Sequence, residues 1–379
     1  MLSIAFRMLA GDRLKYLGLI FGVAFATLLL AQQGSIFVGL LSRAANPVYD
    51  VLDAQLWVMD SRVKYIEEVE RLRDVDLLRV KSVHGVEWAV PYYRGVGIAR
   101  TERDEAKQVL LLGVDDSSLV GAPRKLLVGN LQDLQSPDSV LMDSAGFNAI
   151  WPGEPLAAGK IIEINDRRVR IAGIFEGSVP FATFPIIYAT YGQALELVPP
   201  TRTKLPFVLV RVNQNADVNQ VAQAIRDRTG LTAITTEDFA WRSVLYILNN
   251  TGIPQSFGTV IILGIIVGAV IVGLTFYQFV SDNLRQFGVL KAIGVSNIQI
   301  IGMVTGQAIL IGLIGYGLGI GAATGFFIFG KGVVALQDFY LLWQISIGIA
   351  ILLVFIMILA TAVGVRRVLV LDPAVVFKG

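Results

Sequence analysis

The lone histidine, His84, sits between Val83 and Gly85 in a polar stretch of the chain. A metal centre needs several ligands, and a nucleophilic triad needs a histidine fixed by a carboxylate. Nothing around His84 has either spacing, so it reads as a structural residue. The absence of cysteine excludes disulfides, thiolate metal sites and cysteine nucleophiles. Glu67, Glu68 and Glu70 lie close together, but on a helix such a cluster is more often a solvated face than an acid/base pair. The run Gly325-Phe-Phe-Ile-Phe-Gly330-Lys331-Gly332 nearly matches the phosphate loop G-x-x-x-x-G-K-[ST]. It lacks the hydroxyl that would hold magnesium, and its middle is apolar, so it reads as the end of a membrane helix with Lys331 reaching the headgroups. These residues predict a non-catalytic protein without a cofactor or a bound metal.

A different kind of chemistry, that of protein contact, is written after Ser281. The chain reads Ser281-Asp-Asn-Leu-Arg-Gln-Phe-Gly288-Val-Leu-Lys-Ala-Ile-Gly294. Asp282 is placed to cap a short helix whose Leu284, Phe287, Val289 or Leu290, and Ile293 gather near one side. Such a helix suits insertion into a partner's groove; spacing alone leaves it equally a plain turn. Further on, Gly302 and Gly306, then Gly317, Gly321 and Gly325, recur every four residues and would make one smooth helix face. That face predicts close helix packing, within the protein or across a dimer; the alternative is a helix loosened for bending.

The elements that must position these residues follow from composition. Of 379 residues, 54% are hydrophobic and 16% charged, below the roughly 25% of ordinary soluble chains. Four stretches carry no Asp, Glu, Lys or Arg: 16–42, 243–281, 292–330 and 339–365. Each can supply the ~20 apolar residues that cross a bilayer as a helix. The expected fold is therefore an α-helical membrane protein with four transmembrane helices and a mixed α/β domain between the first and second. Its parts are an interfacial helix at 1–15, a span at 16–42, an extracytoplasmic domain at 43–254, and a second span at 255–281. A cytoplasmic loop at 282–299, a third span at 300–330, a short external loop at 331–342, a fourth span at 343–365 and a tail at 366–379 follow.

Outside the large domain, nine basic residues face four acidic ones, a net of +5, whereas the domain is net −3. Arg7, Arg13 and Lys15, then Arg285 and Lys291, then Arg366 and Arg367 belong on the cytoplasmic side by the positive-inside rule. Both termini are then cytoplasmic, and the protein is a multi-pass component of the plasma, or inner, membrane. The near-neutral balance lacks the basic stripe of a nucleic-acid binder. None of the four spans holds a charge for ion coupling, which argues against a secondary transporter.

Within the domain, Lys64 to Val80 has roughly the rhythm of a surface helix. Val86 to Ala99 and Gln108 to Val114 read as strands. Lys160 to Ile164 and Val169 to Phe175 read as a hairpin joined by Asn165-Asp166-Arg167-Arg168. Phe207 to Val212 is a strand, Val218 to Thr229 a helix, and Leu231 to Thr235 another strand. Ser243 to Ile253 reads as an amphipathic or interfacial lead-in to the second span, which Pro254 separates from it.

The pattern F-G-V-L-K-A-I-G at Phe287–Gly294, followed by Val295 and Ser296-Asn297, resembles the hallmark of permeases related to FtsX, MacB and the lipoprotein-releasing Lol system. The closing Arg366-Arg367-Val-Leu-Val-Leu-Asp372-Pro373-Ala374 resembles the same family's basic-then-D-P-A ending. The order of parts is similar too, and the N-terminal half looks most like the DevC branch. Gln286 departs from the acidic residue of many relatives. The resemblance implies the permease of an ABC transporter of the mechanotransmission kind, with ATP hydrolysis in a separate ATPase subunit. It implies a permease dimer, for efflux or envelope-lipid export, with membrane lipid and a membrane-fusion protein as further candidate partners. It assigns the ATPase contact to Leu284, Arg285, Phe287, Gly288, Leu290, Lys291, Ile293 and Gly294. An FtsX-like regulator of a cell-wall hydrolase is the alternative within the family, and a membrane-anchored receptor the alternative outside it.

Overall fold

A computed structural model describes residues 13–101, 105–179, 181, 183–198, 205–333 and 336–370. The expected interfacial helix, apart from its last residues, and the D-P-A ending lie outside the described residues. The chain divides into two compact units, Leu40–Thr251 and the remainder on either side of it.

The first helix, α1, runs unbroken from Arg13 to Tyr49, longer at both ends than the expected span of 16–42. The α/β unit follows with β1 (Leu56–Met59), α2 (Asp74–Lys81), β2 (Val86–Arg100), β3 (Ala106–Val114), β4 (Leu126–Val128), β5 (Ser139–Asp143) and α3 (Ser144–Ile150). Next come β6 (Ile161–Ile164), β7 (Arg167–Phe175), β8 (Ile186–Thr190), α4 (Tyr191–Glu196), β9 (Phe207–Val212), α5 (Val218–Thr229), β10 (Thr232–Thr235) and α6 (Thr236–Asn250).

The strands join in the order β10-β1-β9-β2-β3-β8-β5-β7-β4, with β6 against β2 and β7. The long strand β2 serves two lobes. Up to Tyr92 it pairs with β9, and from Tyr93 onward with β3. The first lobe is a βαββαβ unit, β1-α2-β2-β9-α5-β10, with every neighbouring pair antiparallel. That is a ferredoxin-like arrangement, into which the second lobe is inserted between β2 and β9.

Alternation along β1 shows how the sheet divides its core. Leu56 and Val58 join Val80, Val208, Val210, Val221 and Ile225 beneath α2 and α5. Trp57 and Met59 turn to the other face, where Trp57 meets Tyr92 and Phe207 edge-on with ring centroids 5.6 and 5.5 Å apart. In the second lobe, Val109, Leu111, Val140, Met142 and Ile187 pack with Phe147 and Ile150 of α3.

Three expectations are corrected here. Of Lys64 to Val80, only Asp74–Lys81 is helical. Upstream, the Glu68 carboxylate accepts from the Lys64 N–H at 2.8 Å, Ile66 N–H donates to Ser243 Oγ at 3.2 Å, and Leu72 N–H donates to the Leu205 carbonyl at 2.9 Å. These partners draw the backbone out of helical register. The β6–β7 turn has two residues instead of four, because Asn165 (φ 46°) and Asp166 (φ 67°) take the left-handed conformation that a tight hairpin needs. The lead-in is a domain helix, since Phe239, Ala240, Ser243, Val244 and Ile247 of α6 are buried.

After the domain come α7 (Ile253–Asp282), α8 (Leu284–Ala292), α9 (Asn297–Gly330) and α10 (Trp343–Val370). Among the described residues, four helices are long and apolar enough to cross a membrane: Tyr16–Tyr49, Ile253–Leu274, Asn297–Gly330 and Trp343–Ala362. Pro254 occupies the first turn of α7, where its missing N–H is no loss. α10 packs on both α7 and α9.

Candidate functional site: the short helix between the second and third spans

α8 is bounded by two different devices. At its start Asn283 occupies the cap position without a side-chain capping bond, and Asp282 is the last residue of α7. The expected Asp282 cap is thus not formed, because the preceding helix continues through that residue. At its end the chain closes in a Schellman motif: Gly294 N–H donates to the Lys291 carbonyl and Val295 N–H to the Leu290 carbonyl, both at 3.0 Å. The motif demands a left-handed residue, and Gly294 at φ 94° supplies it without a Cβ penalty. Ser296 then starts α9 in a reciprocal capping box with Gln299: Ser296 N–H donates to Gln299 Oε1 at 3.1 Å and Gln299 N–H to Ser296 Oγ at 3.4 Å. The F-G-V-L-K-A-I-G run thus encodes one helical turn pair, a forced reversal and an immediate restart.

The eight residues assigned to partner contact do not share a face. Phe287 is fully buried and Gly288 is buried, within a cluster that includes Val280, Ile300, Met303 and Val304. Leu284, Leu290 and Val295 pack on the same cluster. Phe287 is therefore an anchor that binds α8 to its own chain. The outward stripe is Arg285, Gln286, Val289, Ala292 and Ile293, at the i, i+1, i+4, i+7, i+8 spacing of one helix face. Val289 is 42% exposed, Ile293 72% and Ile298, just beyond the capping box, 81%. Lys291 is half-buried and Gly294 exposed.

The glycines of α9 divide differently from the expected pattern. Gly302, Gly317 and Gly321 are exposed and meet nothing within 4 Å, Gly306 is half-buried, and Gly325 approaches only Phe329 of its own helix. The close contacts fall on Gly312, against the Met357 side chain of α10, and, against α1, on Gly315 and Gly319. A Cβ on Gly315 would stand 2.6 Å from Val23 Cβ and 3.1 Å from the Ile20 carbonyl oxygen; on Gly319 it would stand 2.5 Å from Thr27 Cβ and 2.6 Å from the Ala24 carbonyl oxygen. Here α1 lies backbone to backbone on α9. The signal was available in the sequence as a run of small residues, Ala308, Gly312, Gly315, Gly319 and Ala323, all of which are buried.

His84 is exposed, and among the described residues no group of His, Cys, Asp or Glu could hold a metal. Gly325–Gly330 is helical throughout, so no phosphate-binding loop forms.

Among the described residues, four apolar helices with an α/β domain between the first and second fit an integral membrane protein. Residues 16–228 match the family described as MacB-like periplasmic core domain, and residues 258–372 match FtsX-like permease C-terminal. The chain belongs to this family of MacB/FtsX-type ABC transporter permeases. It is 26% identical over 310 residues to an uncharacterized ABC transporter permease of Mycobacterium tuberculosis, covering 81% of this chain and 79% of that one. A second such permease, from Mycobacterium bovis, is 26% identical over 320 residues, covering 80% and 78%. Among solved structures, the periplasmic region of MacB from Actinobacillus actinomycetemcomitans is similar at 16% identity and a TM-score of 0.38, covering 53% of this chain and 95% of that one. The extracellular domain of the noncanonic ABC-type transporter YknZ from Gram-positive bacteria is similar at 15% identity and a TM-score of 0.35, covering 48% and 98%.

Proposed function

We propose that the chain is the non-catalytic membrane subunit of an ATP-driven export complex, for efflux or envelope lipid, and that it receives the stroke of a separate ATPase through α8. The observation that carries this reading is the outward stripe Arg285, Gln286, Val289 and Ile293, continued by Ile298. A cation beside exposed aliphatic side chains on a short helix is shaped for a groove in a partner. The buried anchor Phe287 and the Schellman turn hold that helix rigidly to the spans, so a push on it reaches α9 instead of being absorbed by a loose loop. In this reading both termini and α8 are cytoplasmic, the α/β domain is extracytoplasmic, and the boundaries are those given from the sequence. The permease works as a homodimer, for which the uncovered Gly302, Gly317 and Gly321 offer close approach. A membrane-fusion protein and membrane lipid are the remaining partners.

The test is co-purification. Val289→Asp with Ile293→Asp places two charges in the expected contact and leaves the anchor untouched. The ATPase should be lost at least tenfold from the purified complex while the amount of permease in the membrane stays constant. Full retention of the ATPase by this variant would refute the assignment.

A further inference from the structure

Gln32 and Gln33 of α1 lie in the uncharged stretch 16–42, and whichever ~20 consecutive residues of it cross the hydrocarbon, both are among them. Short hydroxyl side chains in the spans return their proton to their own helix. Thr27 donates to the Val23 carbonyl at 2.7 Å, and Thr324 to the Ile320 carbonyl at 2.8 Å. A glutamine also carries an acceptor, which no helix carbonyl can satisfy. Neither glutamine makes a hydrogen bond to any described residue. Lipid tails offer an amide nothing, so in membranes such side chains bond across helices.

The packing of α1 tells the two apart. Ala26 and Leu30 meet Gly268 and Gly264 of α7, and Val23 and Thr27 meet Gly315 and Gly319 of α9. Gln33 follows Ala26 and Leu30 onto the α7 side. Phe21, Phe25, Leu28 and Gln32, at i, i+4, i+7 and i+11, form the side that is left. Phe21 and Phe25 are exposed and stack with ring centroids 6.1 Å apart, and Leu28 and Gln32 are half-buried. This stripe carries no charge, so an identical stripe does not repel it. Its polar group is complementary to itself. Across a two-fold axis each Gln32 Nε2–H meets the other's Oε1, so that partial charges of opposite sign face each other twice.

We propose that α1 is the helix at the two-fold axis of a pair of these chains, with Gln32 bonded to its counterpart in the second copy and Phe21 and Phe25 packed beside the axis. This rests on the homodimer proposed above and gives it a seat on α1.

Because the chain has no cysteine, a single introduced cysteine reports one position. A disulfide forms where two Cα atoms come within about 7 Å. Under mild oxidation in native membranes, Leu28→Cys should give a linked dimer, and Gly317→Cys and Ile351→Cys should not. With the purified full chain in lipid vesicles, Gln32→Leu should raise the dimer dissociation constant at least about threefold, read by energy transfer between donor- and acceptor-labelled copies. A linked dimer from Gly317→Cys and none from Leu28→Cys would overturn this axis and leave the homodimer standing. No linked dimer from any of the three positions, together with no energy transfer in vesicles, would remove the homodimer and the axis alike. If Gln32→Leu dimerises as tightly as wild type, the amide contact is refuted. Should Gln32→Leu fail to reach the membrane, the comparison of Leu28→Cys with Gly317→Cys decides the matter.

Discussion

Phe287 and Ile293 belong to one short helix and its cap, yet they face opposite ways, and their substitutions should fail differently. Phe287→Ala empties a fully buried site among the spans and should cost about 3 kcal/mol, seen as a lower unfolding temperature of the purified chain. A Phe287→Ala chain as stable as wild type would contradict that burial. A second residue-scale expectation concerns pH. Asp143 accepts from Gly146 N–H at 3.0 Å and from Ile186 N–H at 2.7 Å, capping α3 and tying it to β8. Burial pushes its carboxyl up to about 6 from an ordinary 3.8, against the pull of those two donors. A carboxyl raised on folding costs stability when ionised. That cost, on the order of 3 kcal/mol, is complete above pH 6 and is relieved as the pH falls towards 3.8. Removing the carboxylate with Asp143→Asn should therefore flatten the pH dependence of the thermal midpoint between pH 7.5 and 5 relative to wild type. Parallel curves would show that Asp143 does not titrate in that window.

At the scale of elements, what the sequence disclosed depended on whether the deciding partners were local. α5 was legible to its ends because Asp217 accepts from the Asn219 and Gln220 N–H groups at its start and Gly230, at φ 75°, stops it. β9 was legible for a similar reason, as an apolar run with its one exposed residue at Arg211. The upstream half of Lys64 to Val80 was not, since Ser243 and Leu205, far away in sequence, claim its backbone. The ferredoxin-like lobe was hidden because a whole lobe separates β2 from β9. In the candidate site, the helix, its reversal and its motif could be read, but not which face turns inward. The apolar side of α8 is used by the chain itself, and burial is set by α7, α9 and α10. The glycines of α9 teach the same lesson: spacing found small faces, and the backbone of α1 chose among them. Gly315→Leu or Gly319→Leu should thus abolish stable folding in detergent, each driving a side chain into the α1 backbone. Gly317→Leu and Gly321→Leu should leave the protomer folded, and any loss should appear only in the association of copies. Monomer unfolding by Gly317→Leu as severe as by Gly315→Leu would contradict this division.

For the whole molecule, the central claim is that a separate ATPase seats on the outward stripe of α8. Photo-crosslinking from defined positions measures this most directly, because it reports contact without perturbing the anchor. A benzophenone amino acid would be placed at Ile293 and Ile298, with Ile351, an exposed position within the fourth span, as the reference. After irradiation in native membranes, positions 293 and 298 should give an adduct containing an ABC ATPase, identified by mass spectrometry, and position 351 should give none. Adducts from 293 and 298 that contain only lipid or a second copy of the chain, with no ATPase, would contradict the account.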